Sequence, residues 1–421
     1  LFLDTSKIIP SSTKMKHRSS WPVVAALAAL ALPCAAVAEQ GAPPPVGSAQ
    51  QPVSIAVPAG RDWQSPPGVD LTSGFTEGFE GPVGSSGPEL GTGEWVIVPI
   101  PFKNALLGAG LQVGIGRLYK PESHPEQEKT SMYGLGGMYA EGGSWAAVAA
   151  DRRYWGTGAL RSTVAVGMGE VHYEIDFSEI FDGVRLPVGQ TFSGGQIELG
   201  YETVKNLWLS AGFKFATTEL TIKGLEGGTG NYLVLPKLKY DMALAVLKAE
   251  WDSRSDQFYP RGGSLFKAEV DLADTGIGSQ TNYQVYQLAY NGYKAINDRN
   301  TLAWRVAGKT VTGDPPFFAL PWFGSGVDLR GYAPGTYIGK SMLAGQAEWR
   351  WQATFRLGLV AFAGVGGSYG DIAYFNQDSF LPAGGLGLRW RLTKQNRVNF
   401  RVDYAWGKDD RVLLVSAGEA F

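Results

Sequence analysis

Ten residues near the end of the chain, Arg397-Val398-Asn399-Phe400-Arg401-Val402-Asp403-Tyr404-Ala405-Trp406, alternate almost without a break between polar and apolar side chains. Successive side chains of a strand point to opposite faces, so Val398, Phe400, Val402, Tyr404 and Trp406 share one face and Arg397, Asn399, Arg401 and Asp403 the other. The same period of two recurs upstream. Leu386, Leu388, Trp390 and Leu392 alternate with Gly387, Arg389 and Arg391; Leu343, Gly345, Ala347, Trp349 and Trp351 with Ala344, Gln346, Glu348 and Arg350; Phe266, Ala268, Val270 and Leu272 with Lys267, Glu269 and Asp271. Such segments pair into a sandwich or a barrel. In a water-soluble sandwich the apolar face would be the core, but two features favour a barrel in a membrane. The polar faces carry both signs of charge on successive strands, as a hydrated and partly ion-paired lumen would. The apolar faces mix small residues with Trp and Tyr gathered where an interfacial girdle sits.

Sixteen such segments run from Glu94–Phe102 to Val412–Phe421, an even number as in bacterial barrels. The early segments alternate poorly, which leaves fourteen as the other count. The fold class is all-β: a transmembrane antiparallel β-barrel. The 57 glycines and 12% aromatics suit it, and no apolar run beyond the N-terminus is long enough to span a membrane as a helix.

The N-terminus reads as a targeting device. Met15-Lys16-His17-Arg18 is a basic start, Trp21 to Leu32 an apolar run, and Ala36-Val37-Ala38 a small-x-small cleavage site, together a secretory signal. Residues 1–14 precede Met15 as an over-extended start would. The single cysteine, Cys34, falls inside the signal behind Pro33, which argues against lipid attachment, so the mature chain has no disulfides or thiolate metal sites. Cleavage after residue 38 removes Lys7, Lys14, Lys16, Arg18 and Asp4, which moves the formal charge from −2 to −5. No basic field suited to nucleic acid remains. Residues 39–93 are rich in Pro, Gly, Ser and Gln without periodicity and read as a disordered periplasmic leader; the barrel is expected over residues 94–421.

One stretch breaks the alternation: Leu320-Pro321-Trp322-Phe323-Gly324-Ser325-Gly326-Val327-Asp328-Leu329-Arg330-Gly331-Tyr332. Its glycines give backbone freedom, and Arg330 presents a planar fork of donors that needs acidic partners. On its own, Leu329-Arg330-Gly331-Tyr332 could equally be a solvated surface loop. With Trp251-Asp252-Ser253-Arg254-Ser255-Asp256-Gln257-Phe258-Tyr259-Pro260-Arg261-Gly262-Gly263, Glu348-Trp349-Arg350 and the ending Gly418-Glu419-Ala420-Phe421, it resembles the bacterial surface antigen superfamily, the BamA–TamA group of outer-membrane barrels. The resemblance covers about 94–421. It implies that the loop bearing Gly324, Gly326, Leu329, Arg330, Gly331 and Tyr332 folds back into the lumen, that Asp252, Arg254, Asp256, Pro260 and Gly262 form a turn motif, and that Phe421 belongs to an assembly signal. Glu348 and Asp403 are the candidate lumen partners of Arg330. The family's usual Asp near Phe362-Ala363-Gly364-Val365 is missing here, and Asp371 is a third candidate. The chain looks like a barrel-only branch without the family's POTRA domains, so a client-recruiting role is not simply inherited.

The first segment carries Pro99 and Pro101. Residues i and i+2 direct their N–H groups to the same neighbour, so these prolines remove two donors from one edge. Either they weaken the seam with the segment ending at Phe421, as lateral opening requires, or they only lead into the first strand. The implied activity is insertion or translocation of proteins or lipids at the outer membrane. The implied partners are outer-membrane lipids, unfolded client proteins and an unknown periplasmic accessory protein. The rival is a passive or gated channel with the Arg330 loop as plug. An enzyme finds little support: His124 lies in a polar turn, His172 alternates within a strand, and no Ser–His–acid set can be located. No metal or cofactor is expected. Gly224 to Gly230 reads as a loop, since no helix follows to make a phosphate cradle.

Overall fold

The computed structural model describes residues 95–421 apart from 105, 120–130, 177–184, 228–230, 235–236, 257–258, 325–327, 333–336, 371–379, 392–398 and 409. The signal, the leader, His124, Gly326 and Asp371 lie outside the described residues.

The strands are β1 (Trp95–Asn104), β2 (Gly108–Tyr119), β3 (Ser131–Ala140), β4 (Trp145–Trp155), β5 (Leu160–Asp176), β6 (Arg185–Val204), β7 (Leu207–Gly227), β8 (Asn231–Val234), β9 (Leu238–Asp252) and β10 (Gly262–Ala273). They continue with β11 (Tyr283–Asn297), β12 (Asn300–Gly313), β13 (Trp322–Phe323), β14 (Tyr337–Ile338), β15 (Ser341–Gln352), β16 (Leu357–Tyr369), β17 (Leu381–Arg391), β18 (Asn399–Trp406) and β19 (Arg411–Ala417). All but β8, β13 and β14 form one closed antiparallel barrel of sixteen strands, each paired with its neighbours in sequence and the last with the first. β8 extends β7 as a short ribbon, and β13 pairs with β14. The sixteen expected segments therefore match the sixteen barrel strands one for one. One local expectation is corrected: Gly224–Gly227 is not loop but the end of β7, held by pairing with Asn231–Val234.

Alternation fixes which side of each strand faces out. Leu247, Leu288, Val306, Trp349, Leu386, Leu388, Trp390 and Tyr404 are exposed on the outer face, while their sequence neighbours are buried or partly buried inside. The end at which β1 begins, the lower end here, carries the short turns at 156–159, 205–206, 253–261, 298–299 and 353–356. The upper end carries the long segment 314–340 between β12 and β15.

The interior differs between the two ends. Facing the upper half, Val171, Tyr173, Val188, Leu220, Met242, Leu244, Tyr283, Val285 and Val311 enclose Phe318, Ala319 and Trp322 of the 314–340 segment in one buried apolar cluster. Trp322 meets Tyr173 edge-on at 5.6 Å, and Phe318 meets Tyr240 at 5.5 Å. Lower down, the inner faces of β5–β10 are ionic: Lys214 lies 2.6 Å from Glu269 and 3.2 Å from Asp271, and Lys248 lies 3.0 Å from Glu198. The expected ion-paired lumen thus holds for this lower wall, while in the upper half apolar side chains pack around Phe318, Ala319 and Trp322.

The end of the chain departs from expectation. β19 stops at Ala417 rather than reaching Phe421. Gly418, at φ 91°, turns the backbone, and Glu419, Ala420 and Phe421 are buried. A left-handed φ is open to glycine at little cost. This turn shapes the seam. Lys103 of β1 pairs with Val415 of β19, and that is their single register pair among the described residues. The antiparallel register leaves only Ser416 and Ala417 to continue along β1 before the chain turns away. β1 and β2, by contrast, are paired over the whole of β1, from Trp95 with Arg117 to Asn104 with Gly108.

Candidate functional site

Arg330 is completely buried, and its partners come from well-separated parts of the sheet. Its Nη2 donates to Glu348 Oε2 of β15 at 2.7 Å, its Nη1 to Asp403 Oδ2 of β18 at 2.7 Å, and its Nε to Gln346 Oε1 at 3.2 Å. Glu348 and Asp403 are inward-facing positions of strands separated by β16 and β17, so only a group inside the barrel reaches both. The guanidinium carbon lies 3.6 Å from the centre of the Phe362 ring on β16. An aromatic face thus underlies the cation near the place where the family resemblance leads one to look for a carboxylate, and Asp403 supplies charge from two strands away.

The backbone around Arg330 explains its glycines. Gly331 has φ 120°, and a Cβ there would lie 2.9 Å from the Trp406 carbonyl oxygen. Gly324 has φ 87°, and a Cβ would lie 2.7 Å from Tyr332 Cβ. Both positions therefore need glycine for conformation and for space. Leu329, Phe323 and Tyr332 form a buried cluster with Met342 and Ala344, and the Tyr332 hydroxyl donates to the Pro382 carbonyl at 2.5 Å. Gln346 Nε2 donates to the Asp328 carbonyl at 2.8 Å, which pins the loop backbone just ahead of Arg330.

Three further arginines extend the network. Arg350 Nε donates to Glu348 Oε1 at 2.5 Å. Arg389 bridges Asp403 Oδ1 at 2.5 Å and Glu419 Oε2 at 2.9 Å, and Arg401 Nε stands 3.8 Å from Asp403. Asn399 Nδ2 donates to Glu419 Oε1 at 2.6 Å, and Arg350 Nη2 to the main-chain oxygen of Phe421 at 2.9 Å. The Arg350 guanidinium is ringed by Tyr259, Tyr293 and Phe421 at 5.7 to 5.9 Å. Glu348 and Arg350 are thus where the loop, the segment after β19 and the turn between β9 and β10 meet.

That turn is closed by its own charges. Arg254 donates to both Asp252 oxygens from Nε at 2.9 and 3.1 Å, and Asp256 Oδ1 accepts from Tyr259 N at 2.7 Å. Pro260 is buried beside Tyr259. The glycine that the turn requires is Gly263 rather than Gly262. Gly263 has φ 81°, with a Cβ position 2.0 Å from the Ser253 oxygen, while a Cβ on Gly262 would meet nothing. Pro99 and Pro101 stand on the outer face of β1, exposed and paired with Val113 and Leu111 of β2.

Buried carboxylates held by guanidinium forks are poor proton carriers and good clamps. The arrangement holds the 314–340 segment, the barrel wall and the chain end together. The sequence points to Glu348 and Asp403 as partners of Arg330 but gives Gln346, Phe362, Arg350, Arg389 and Glu419 no part in its network. The signal for the arginines was present, because Arg350, Arg389 and Arg401 occupy the polar phase of their strands.

A family model described as the Omp85 superfamily domain matches residues 183–421. The chain belongs to the Omp85 superfamily. Among solved structures, this Omp85 barrel is similar to BamA from Haemophilus ducreyi lacking POTRA domains 1-3, at 12% identity and a TM-score of 0.56 over 77% of this chain and 70% of that one. It is similar as well to CdiB from Escherichia coli, at 10% identity and a TM-score of 0.50 over 79% of this chain and 66% of that one. At such identities the likeness is one of fold. A search of curated protein sequences finds no match. The Omp85 barrel fold places the protein in the outer membrane.

Proposed function

We propose that this Omp85 barrel inserts or translocates polypeptides at the outer membrane by parting β1 from β19, with the Arg330 clamp keeping its loop anchored to β15 and β18 meanwhile. The observation that carries this reading is the seam of one register pair, Lys103 with Val415, in a barrel whose other strands are paired along most of their length. An edge with unpaired N–H and C=O groups is a template for an incoming strand, and β-augmentation supplies affinity through main-chain hydrogen bonds. Pro99 and Pro101 cannot donate on that strand, which favours a seam that parts at low cost. Export through the secretory signal and an accessory periplasmic protein complete the proposal. A gated channel is the second reading, supported by the 314–340 segment that fills the upper lumen.

The test uses liposomes containing the purified full chain and follows folding of an unfolded small barrel added from outside. Cysteines at 103 and 415, in a chain with Cys34 replaced by serine, lie at register-paired positions where a disulfide can form across the seam. Accelerated folding that oxidation abolishes and reduction restores is the expected result. Equal acceleration with the seam locked would refute seam opening, and ion conductance without acceleration would favour the channel.

A further inference from the structure

The outer face of β1–β4 loses its apolar character abruptly at the lower end. On β2 the outward series Leu111, Val113, Ile115 gives way to Arg117 and Tyr119; on β4, Ala147 and Ala149 give way to Asp151, Arg153 and Trp155. Sheet register sets these residues side by side. Trp95 pairs with Arg117, Arg117 with Tyr133, and Tyr133 with Asp151, so one row crosses four strands. Among the described residues, two guanidinium groups and one carboxylate leave this patch one positive charge in excess. The carboxylate is a weak match, with Arg153 Nη2 3.5 Å from Asp151.

Aromatic rings hold Arg153 in place. The Arg153 guanidinium carbon lies 5.3 Å from the Trp155 ring centre and 5.9 Å from that of Tyr119, and its Nε donates to the Tyr119 hydroxyl at 2.9 Å. Tyr133 meets Tyr119 at 5.8 Å and Trp95, edge-on, at 6.0 Å. Arg117 Nε is a buried donor with no hydrogen-bond partner among the described residues. A charge on the lipid face costs several kcal/mol at the bilayer midplane and roughly 0–1 kcal/mol at the interface. Placed where the apolar band ends, the two arginines stand at headgroup depth, with ring faces on which the start of an acyl chain can lie.

We infer that Arg117 and Arg153, framed by Trp95, Tyr119, Tyr133 and Trp155, form a binding site for the phosphate of an anionic phospholipid on the outer face of β1–β4, next to the seam strand. The phosphodiester accepts from the free donors of both guanidinium groups while the acyl chains follow the apolar surface of β1 and β2. The site depends only on the barrel lying in a membrane, so it stands or falls separately from seam opening.

Native mass spectrometry of the full chain released from micelles containing equimolar phosphatidylglycerol and phosphatidylcholine, with matched acyl chains, tests it. Phosphatidylglycerol should be retained in preference. Each guanidinium lost should reduce that preference about fivefold, the equivalent of about 1 kcal/mol per basic residue at an anionic surface. The double variant R117Q/R153Q should then bind the two lipids alike, while K205Q/R299Q, which removes two charges from lower turns, should behave as wild type. Retention unchanged in R117Q/R153Q, or lost equally in K205Q/R299Q, would overturn the site. So would displacement of the lipid by millimolar inorganic phosphate, which would make it a site for a free anion. Heat-modifiable migration on gels reports folding; if the double variant does not fold, R153Q alone is read by the same criteria.

Discussion

Arg330 directs its donors to Gln346, Glu348 and Asp403 and rests its flat face on Phe362. Lysine, a compact charge on a flexible stem, cannot span two carboxylates on strands so far apart or stack in the same way. Arg330→Lys should therefore loosen the Arg330 end of the 314–340 segment almost as fully as Arg330→Ala, and limited proteolysis should cut near residue 330 faster in both variants. Gly331→Ala should do the same without touching the charge, because its Cβ would meet the Trp406 main chain. Asp403→Asn should be worse for the barrel than Arg330→Ala. Losing Arg330 leaves three arginines facing three carboxylates, whereas losing Asp403 takes one charged acceptor each from Arg330 and Arg389 and the neighbouring charge from Arg401. Removing one partner of a buried pair costs about 3–5 kcal/mol, and guanidinium unfolding in detergent should show a loss of that order for Asp403→Asn. Equal midpoints for Asp403→Asn and wild type would mean that the clamp adds nothing to stability. The charged members of this site are legible in sequence, since a fixed cation in a glycine loop and carboxylates on the polar phase of strands announce one another. Phe362 is not, because an aromatic on an inner face looks like ordinary filling until the cation above it is seen.

At the scale of elements, alternation carries nearly all the information. One face of every barrel strand meets lipid and the other does not, so the period of two persists through β9–β12 and β15–β19 and separates them cleanly at their turns. What alternation cannot mark is where a strand leaves the sheet. Val412 to Ser416 keep the pattern, and nothing in it shows that Gly418 turns the chain toward Arg350 and Arg389. That turn is a three-dimensional consequence of Glu419 finding two arginines and Asn399 inside. With β19 so shortened, main-chain protection around the ring should be uneven. Amide hydrogen exchange should be faster in β1 and β19 than in β5–β12, since opening at a poorly paired edge takes less free energy than opening within a full ladder. Uniform exchange around the sixteen strands would mean that the seam is as firm as any other contact.

The whole molecule has an interior in two parts, and the division bears on the rival function. A channel needs water along its length, yet the upper lumen is filled by Phe318, Ala319 and Trp322 against a wall of Val, Leu, Met and Tyr, while the lower wall of β5–β10 is ionic. The apolar part of the lumen is not legible in sequence, because inward-facing Val285, Val311 and Leu244 look the same as residues facing lipid. The two halves hold the 314–340 segment by different forces, apolar contact above and ion pairs below, and so should fail separately. Truncating Phe318 and Trp322 together to alanine removes apolar contacts worth about 3–5 kcal/mol each but leaves Arg330 clamped. In planar bilayers that variant should conduct in brief openings, whereas Arg330→Ala, which keeps the apolar plug, should remain mostly closed. Sustained conductance in Arg330→Ala with none in the double variant would reverse the assignment and make the ionic clamp the seal. Sustained conductance in the wild type would mean that the apolar cluster opens in the membrane, and the barrel would then be better read as a channel.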